Sequence, residues 1–548
     1  MKKGIDVSGS SNGTERRKFL KQMAIASASL VSSPMLSGRV ASAQAQVGGT
    51  LVHLVHPEPP NLATFSSTAI ATSLAGGRAY AGLLEYDFEL RPKPSLAESW
   101  IVSEDAKLIT FKLRPDVKFH DGRPFTSADV KYSVLEVLKK VHPRGINTLV
   151  DVQDVETPDP YTAVFRLEHP APHLLKILSG YESPMVPKHL FETTDLLNSP
   201  YANAPVGCGP FKFGGWERGK YILFERFDSY FKPGKPYLER VVELSIADAS
   251  TRTAVLERGE AHLCGLGGVP LSDAAELAKL PHLAVETRGS EYFSPIIQIE
   301  INTRVKPFDD KRVRQALAYA IDRNFVLKNL WFGYGKVASG PIPSVVNQLY
   351  TTEGVKNYNV PNALDIANNL LDEAGYKRDS SGIRFEVTHD VTPYGDEWNR
   401  FGDHVRQRLD LLGIKTILRI EDPATWLRRV YTNYDFQFTS DWPFALTDPV
   451  LGIHRQLHSR SIRPGVPFVN CSGWSSERTD ELMDKAQREP DSRKRAALYR
   501  EFQQIVVEEC PIVYALEAQL PTVYNKKFTD VITGGMGLLG ARDQTRLA

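Results

Sequence analysis

The sequence predicts a mixed α/β fold, and three observations predict it. Residues 108–119 alternate, with Ile109, Phe111 and Leu113 on one side and Thr110, Lys112 and Arg114 on the other, as a half-buried strand does. After the His120-Asp121-Gly122 turn, Thr126 and Asp129 stand three apart as a capping box, and Phe125 is placed to staple onto Val130. Val130, Val134, Val137 and Leu138 then line one helix face. Strand-like runs at 221–227, 240–246 and 293–301 lie between further helical stretches.

The other elements follow in order. Gly214 to Gly219-Lys220 matches the spacing of a phosphate loop, but Tyr221 stands where Ser or Thr is needed and strands flank both sides, so this is a hairpin. At 308–321 Asp309 is the expected cap, Phe308 the staple onto Val313, and Val313, Ala316, Leu317, Ala320 and Ile321 the buried stripe. A third helix carries Ala367, Leu370, Leu371 and Ala374 and stops at Gly375. Phe436 and Phe438 alternate as in a strand. Residues 477–509 read as one or two long amphipathic helices interrupted around Pro490.

Composition narrows the class. With 548 residues, 42% hydrophobic and 24% charged, the chain has a globular profile and ample apolar content for a core. At about 150 residues per domain, that length allows three to four domain-sized units. Lys+Arg 66 against Asp+Glu 65 gives no reason to expect nucleic acid as a partner. Residues 1–43 differ from the rest: they are basic, run uncharged from Gln22 to Gly38, and end in Ala41-Ser42-Ala43, which reads as a secretory signal cleaved after Ala43. Arg16-Arg17 before Lys18-Phe19-Leu20-Lys21 resembles the twin-arginine export signal. No later window reaches the apolar length of a membrane span, so a soluble periplasmic protein is expected. Cys208, Cys264, Cys471 and Cys510 allow up to two disulfides in such a compartment, without C-x-x-C spacing.

Catalytic and metal motifs are weak. Gly9-Ser10-Ser11-Asn12-Gly13 matches a hydrolase pattern but lies in the signal. His454 and His458 stand four apart without the Glu of a metalloprotease and are read as solvated or packing residues. No catalytic residue, metal ligand or cofactor is assigned. The richest local signal is aromatic: Tyr431, Tyr434, Phe436, Phe438, Trp442 and Phe444 crowd one short segment with Asp435, Asp441 and Asp448. Phe436 and Phe438 are expected in the core. Trp442 and Phe444, beside Pro443, are expected to wall a small-ligand cleft.

Several longer motifs carry a resemblance. They are Gly82-Leu83-Leu84-Glu85-Tyr86, Pro94-Ser95-Leu96-Ala97-Glu98-Ser99-Trp100, the run from Thr110 through Phe119-His120-Asp121-Gly122-Arg123-Pro124-Phe125 to Val130, Gly207-Cys208-Gly209-Pro210-Phe211, Pro307-Phe308-Asp309-Asp310-Lys311-Arg312-Val313, Leu370-Leu371-Asp372-Glu373-Ala374-Gly375-Tyr376 and the Trp474-to-Leu482 segment. In this order they resemble the large peptide/nickel-type (family 5) solute-binding proteins of ABC importers. The resemblance implies a two-lobed periplasmic-binding-protein clamshell, type II-like and of the large cluster, with an additional inserted domain. It implies lobe I at 44–80, the insertion at 81–203, lobe I again at 204–300, lobe II at 301–512 and a return to lobe I at 513–548. The implied partners are a peptide or other small solute, held as the lobes close by hinge bending, and an inner-membrane ABC permease; the protein is taken as a monomer. Nickel chelates, opines and oligosaccharides are the alternative solutes, and an exported hydrolase the alternative class.

One departure bears on the solute. In peptide-binding relatives an Asp three residues after a Trp pairs with the peptide's amino terminus, and matching Trp442 and Asp448-Pro449 puts Ala445 there. Either Asp441 or Asp448 replaces it, or the solute lacks a free amine at this point. The expected ligand-binding set is therefore Trp442, Phe444, Ala445, Asp441, Asp448 and Phe65.

Overall fold

The computed structural model describes residues 47–548; the segment expected as an export signal, with Arg16, Arg17 and Ala43, lies outside the described residues. Three larger sheets organise the chain. The first has the order Leu283–Glu286, Thr522–Asn525, Leu263–Cys264, Thr50–Leu54, Arg240–Leu244, Tyr221–Arg226 and Phe211–Glu217. The second has the order Gly335–Val337, Ile512–Ala518, Ile296–Ile301, Phe438–Asp441, Phe385–Asp390 and Ile414–Arg419. The third is antiparallel, Ala97–Val102, Leu108–Leu113, Thr162–Leu167 and Val152–Asp159, and falls within the segment expected as an insertion. These sheets with their helices are the mixed α/β, two-lobed arrangement the sequence predicts.

Local chemistry explains the elements. Thr126 donates both its backbone N–H (2.9 Å) and its hydroxyl (3.0 Å) to the Asp129 carboxylate, completing the capping box that starts Ser127–Tyr132. That helix then widens into a π-helical turn at Ser133–Leu138, which the apolar spacing alone does not reveal. The helix Lys311–Ala320 begins one residue later than expected, because Asp310 rather than Asp309 is the extended residue whose carboxylate accepts the Arg312 N–H, at 2.8 Å. Ala363–Glu373 gives way to Gly375 at φ +89°, a left-handed position suited to glycine. The interruption at Pro490 separates two helices, Glu477–Arg488 and Ser492–Glu509. The motif at 214–220 is a hairpin turn between Phe211–Glu217 and Tyr221–Arg226.

Two large apolar clusters fill the lobes. One joins the first sheet to the antiparallel sheet through Phe65, Tyr80, Phe111, Phe165 and Phe191; the other packs Ile299, Leu317, Phe401, Phe438 and Phe502 in the second lobe. The expected breaks at residues 300 and 512 fall inside strands Ile296–Ile301 and Ile512–Ala518, which pair antiparallel with each other. The chain accordingly crosses between the first and second sheets just before Ile296 and just after Ala518. There Ala518 N–H donates to the Pro295 carbonyl (2.9 Å) and Leu520 N–H to the Ser290 hydroxyl (3.4 Å).

All four cysteines are buried and unpaired. Burial also holds several imidazoles neutral: His142, His262 and His389 are each pushed down to about 3. His389 sits within a strand, stacked 4.7 Å from Phe438, and neither ring nitrogen has a hydrogen-bond partner among the described residues. Below the unfolded pKa of about 6.5 the denatured chain gains protons that the native state does not, so stability falls with falling pH until the native pKa is reached. For His389 this amounts to about 2 kcal/mol at pH 5. His389→Leu is expected to raise the urea midpoint at pH 5 and to flatten its decline between pH 6.5 and 4. An unchanged pH profile would show that this imidazole is protonated alike in both states.

Candidate functional site

The cleft is built where the lobes face each other. On the second-lobe side, Trp331 follows the π-helical turn Val326–Leu330, Trp398 lies in the first turn of Asp396–Asp410, and Trp442 follows strand Phe438–Asp441. Their rings form an edge-to-face series, 5.7 Å from Trp331 to Trp398 and 6.2 Å from Trp398 to Trp442. Opposite them lie the Gly265–Gly268 loop and Gln519-Leu520-Pro521 of the first lobe, enclosing a cavity of about 40 Å³. Cβ atoms on Gly265 and Gly268 would meet Leu538 Cδ1 at 2.6 Å and Cys264 Sγ at 2.4 Å, so these two positions are packed too closely for a larger residue, while Val269, Leu271, Gln519, Leu520 and Pro521 supply the side chains of this wall.

The residues expected in the ligand set occupy different places. Trp442 lines the cleft. Phe444 is half-buried, 5.8 Å from Trp442 and 4.9 Å from Phe293, and its backbone bridges to Pro295, so it packs at the crossing between lobes. Ala445 is buried, donates its N–H to the Ser294 carbonyl (3.3 Å) and opens onto a cavity of about 10 Å³ beside Gln298 and Gln456, not onto the tryptophan cleft. Phe65 is fully buried, 5.0 Å from Phe191 and 6.4 Å from Tyr80; in place of the expected cleft contact it has a core position, since three aromatic rings close over one another there.

The two candidate carboxylates are engaged inside the protein. Asp448 takes a bidentate pair from Arg495, both contacts 2.7 Å, and accepts the Val450 N–H as a helix cap. Burial pushes the Asp448 carboxyl up, but Arg495 outweighs it and the net shift is below the usual value. Asp441 accepts the Tyr431 hydroxyl and the Trp442 N–H, each at 2.7 Å. Burial pushes Asp441 up to about 6 and its neighbour Glu300 up to about 8, with the Asp441 charge adding to the Glu300 shift. Glu300 in turn accepts from Gln298 (3.0 Å) and from the Cys471 thiol (2.6 Å). This polar group holds the end of strand Phe438–Asp441, directly before Trp442.

Sequence reasoning missed Trp331, Trp398 and the neighbouring Glu397. They come from elements far apart in the chain, and the second lobe's folding brings them to Trp442. The signal available was limited to an isolated Trp-containing helix start, Asp396-Glu397-Trp398 after Gly395. The two histidines singled out by spacing are used structurally: His454 Nε2 meets the Tyr499 hydroxyl at 2.9 Å, and His458 faces Asp480 and Asp484. Among the described residues there is no group of three or more His, Cys, Asp or Glu arranged to hold a metal ion, and no helix long and apolar enough to cross a membrane. Aromatic faces, main-chain groups and a carboxylate equip the cleft for binding a small solute.

Comparison with known proteins agrees with that geometry. Residues 91–462 match the family model described as bacterial extracellular solute-binding proteins, family 5 middle. The glutathione-binding protein GsiB of Escherichia coli K12 is 27% identical over 471 residues, covering 84% of this chain and 87% of that one. Among solved structures, the periplasmic binding protein AgaA of A. tumefaciens R10 in complex with agropinic acid is 30% identical, with a TM-score of 0.73, covering 91% of this chain and 99% of that chain. The oligopeptide-binding protein AppA of Bacillus subtilis, in complex with a nonapeptide, is 26% identical with a TM-score of 0.73, covering 92% and 100%.

Proposed function

The chain belongs to family 5 of the bacterial extracellular solute-binding proteins, and on that premise we propose that it captures a peptide or peptide-like solute between its lobes and delivers it to an inner-membrane ABC permease. The observation that carries this reading is the cleft itself: a glycine-rich loop and an apolar segment of the first lobe face three indoles from the second across a narrow space. A ligand touching both walls favours the closed form, because it gains its contacts only when the lobes meet. Export to the periplasm by way of residues 1–43, with Arg16-Arg17 as a twin-arginine signal, belongs to the same proposal. So does action as a binding protein without catalysis, as a monomer.

An opine-like solute is the second reading. It is favoured by the 30% identity to the agropinic acid complex.

The test is ligand screening by thermal shift and titration, followed by small-angle scattering. A bound solute is expected to raise the melting temperature and make the particle more compact. Trp442→Ala is expected to weaken that binding at least tenfold, through loss of an aromatic wall. Tight binding without compaction and without a Trp442 effect would overturn the clamshell reading.

A further inference from the structure

Glu397 is the one ionisable residue among those lining the tryptophan cleft. It is half-buried in the first turn of Asp396–Asp410, directly before Trp398. Its carboxylate makes no ion pair among the described residues; burial first, with the adjacent Asp396 charge, pushes its pKa above the usual value, against the opposing pull of its own backbone N–H and of Arg400 one turn along. The other carboxylates near this end of the lobe are committed elsewhere, Asp448 to Arg495 and Asp441 to Tyr431. No Lys, Arg or His lines the cleft. A negative group among indoles, without a cation of its own, matches what a positively charged ligand group needs, since indole faces attract cations and a carboxylate neutralises them.

We propose that Glu397, with Trp331, Trp398 and Trp442, forms a subsite for an organic cation, so that the solute carries an ammonium group, primary or methylated. The inference rests on the solute-binding reading above and names the charge that the solute brings to that cleft. The anchoring charge thereby sits on a helix start in the second lobe instead of on the turn after Trp442, where Ala445 is buried.

The experiment is isothermal titration of the full exported chain with matched probes. The set pairs free-amine di- and tripeptides with their N-acetyl counterparts, and adds choline and carnitine as methylated ammoniums, with neutral disaccharides and dicarboxylates as uncharged and anionic members. The expected result is binding of an ammonium-bearing probe, at least tenfold stronger than its uncharged counterpart. Glu397→Gln is expected to remove that preference, a tenfold loss corresponding to about 1.4 kcal/mol, while Glu397→Asp retains part of it. Primary amines binding alone assigns a free amino terminus, and trimethylammonium probes binding alone assigns a quaternary head. Should only uncharged or anionic members bind, with Trp442→Ala still weakening them, the cation subsite is overturned while the solute-binding reading stands. A Glu397→Gln protein that binds ammonium probes as tightly as the wild type also overturns the subsite. Absence of binding to every member overturns both.

Discussion

Asp448→Asn is expected to destabilise the native state by about 3–5 kcal/mol, because it leaves the Arg495 guanidinium buried without a counter-charge. Both side chains are buried, and the pair is bidentate at 2.7 Å. Asn retains an oxygen to accept the Val450 N–H, so the helix cap survives, and the loss reports the charge together with the one Arg495 hydrogen bond that the amide NH2 cannot accept. Urea unfolding at pH 7 is the measurement. The double variant Asp448→Leu with Arg495→Met is expected to recover much of the loss, since apolar replacement of a whole buried pair is often neutral or better. The sign of the pH dependence follows from the lowered native pKa of Asp448: the contribution is complete above the carboxylate's unfolded pKa and disappears as pH falls through the native one. A single variant as stable as the wild type would show that water reaches Arg495.

The second large effect is expected at Glu243, in the first lobe. Its carboxylate meets both the His53 imidazole and the Arg78 guanidinium, and none of the three side chains is exposed. Arg78 also donates to the Leu538 and Gly540 carbonyls, at 2.9 Å each. Glu243→Gln therefore leaves a buried cation uncompensated, at a cost of about 3–5 kcal/mol. Because Arg78 holds the C-terminal segment, the same variant is expected to expose residues 537–548 to limited proteolysis. Protection of that segment equal to the wild type would show that the carbonyl contacts hold it without Glu243.

What the sequence makes legible is chemistry between near neighbours. The Thr126–Asp129 box, the Gly375 terminus and the 211–226 hairpin depend on contacts a few residues apart, and each can be read by spacing. The Asp309–Asp310 ambiguity marks the limit of such reading: two adjacent carboxylates satisfy the same pattern, and only the backbone angles decide which one caps. Phe65 shows a different limit, because a phenyl ring beside Pro-rich turns carries no sign of whether other rings close over it. The cleft is harder still. Trp331, Trp398 and Trp442 are joined only by the second sheet and its helices, and Asp448 meets an arginine on the long C-terminal helix. The Ala445 departure was visible in the sequence; the carboxylate available in its place, Glu397, was visible only once the helix start was located beside the cleft.

The position of strand Thr522–Asn525 inside the first sheet, between Leu283–Glu286 and Leu263–Cys264, makes the first lobe depend on a segment that follows the whole of the second lobe's sheet in the chain. Chains are made from the N-terminus, and domains fold as they are completed. Here a lobe begun at Thr50 lacks an interior strand until Thr522–Asn525 has been made. The second lobe, whose sheet ends at Ala518, has all its strands first. Without residues 522–525, Leu263–Cys264 and Leu283–Glu286 lose the partner that lies between them, and the exposed edge is open to pairing with another chain.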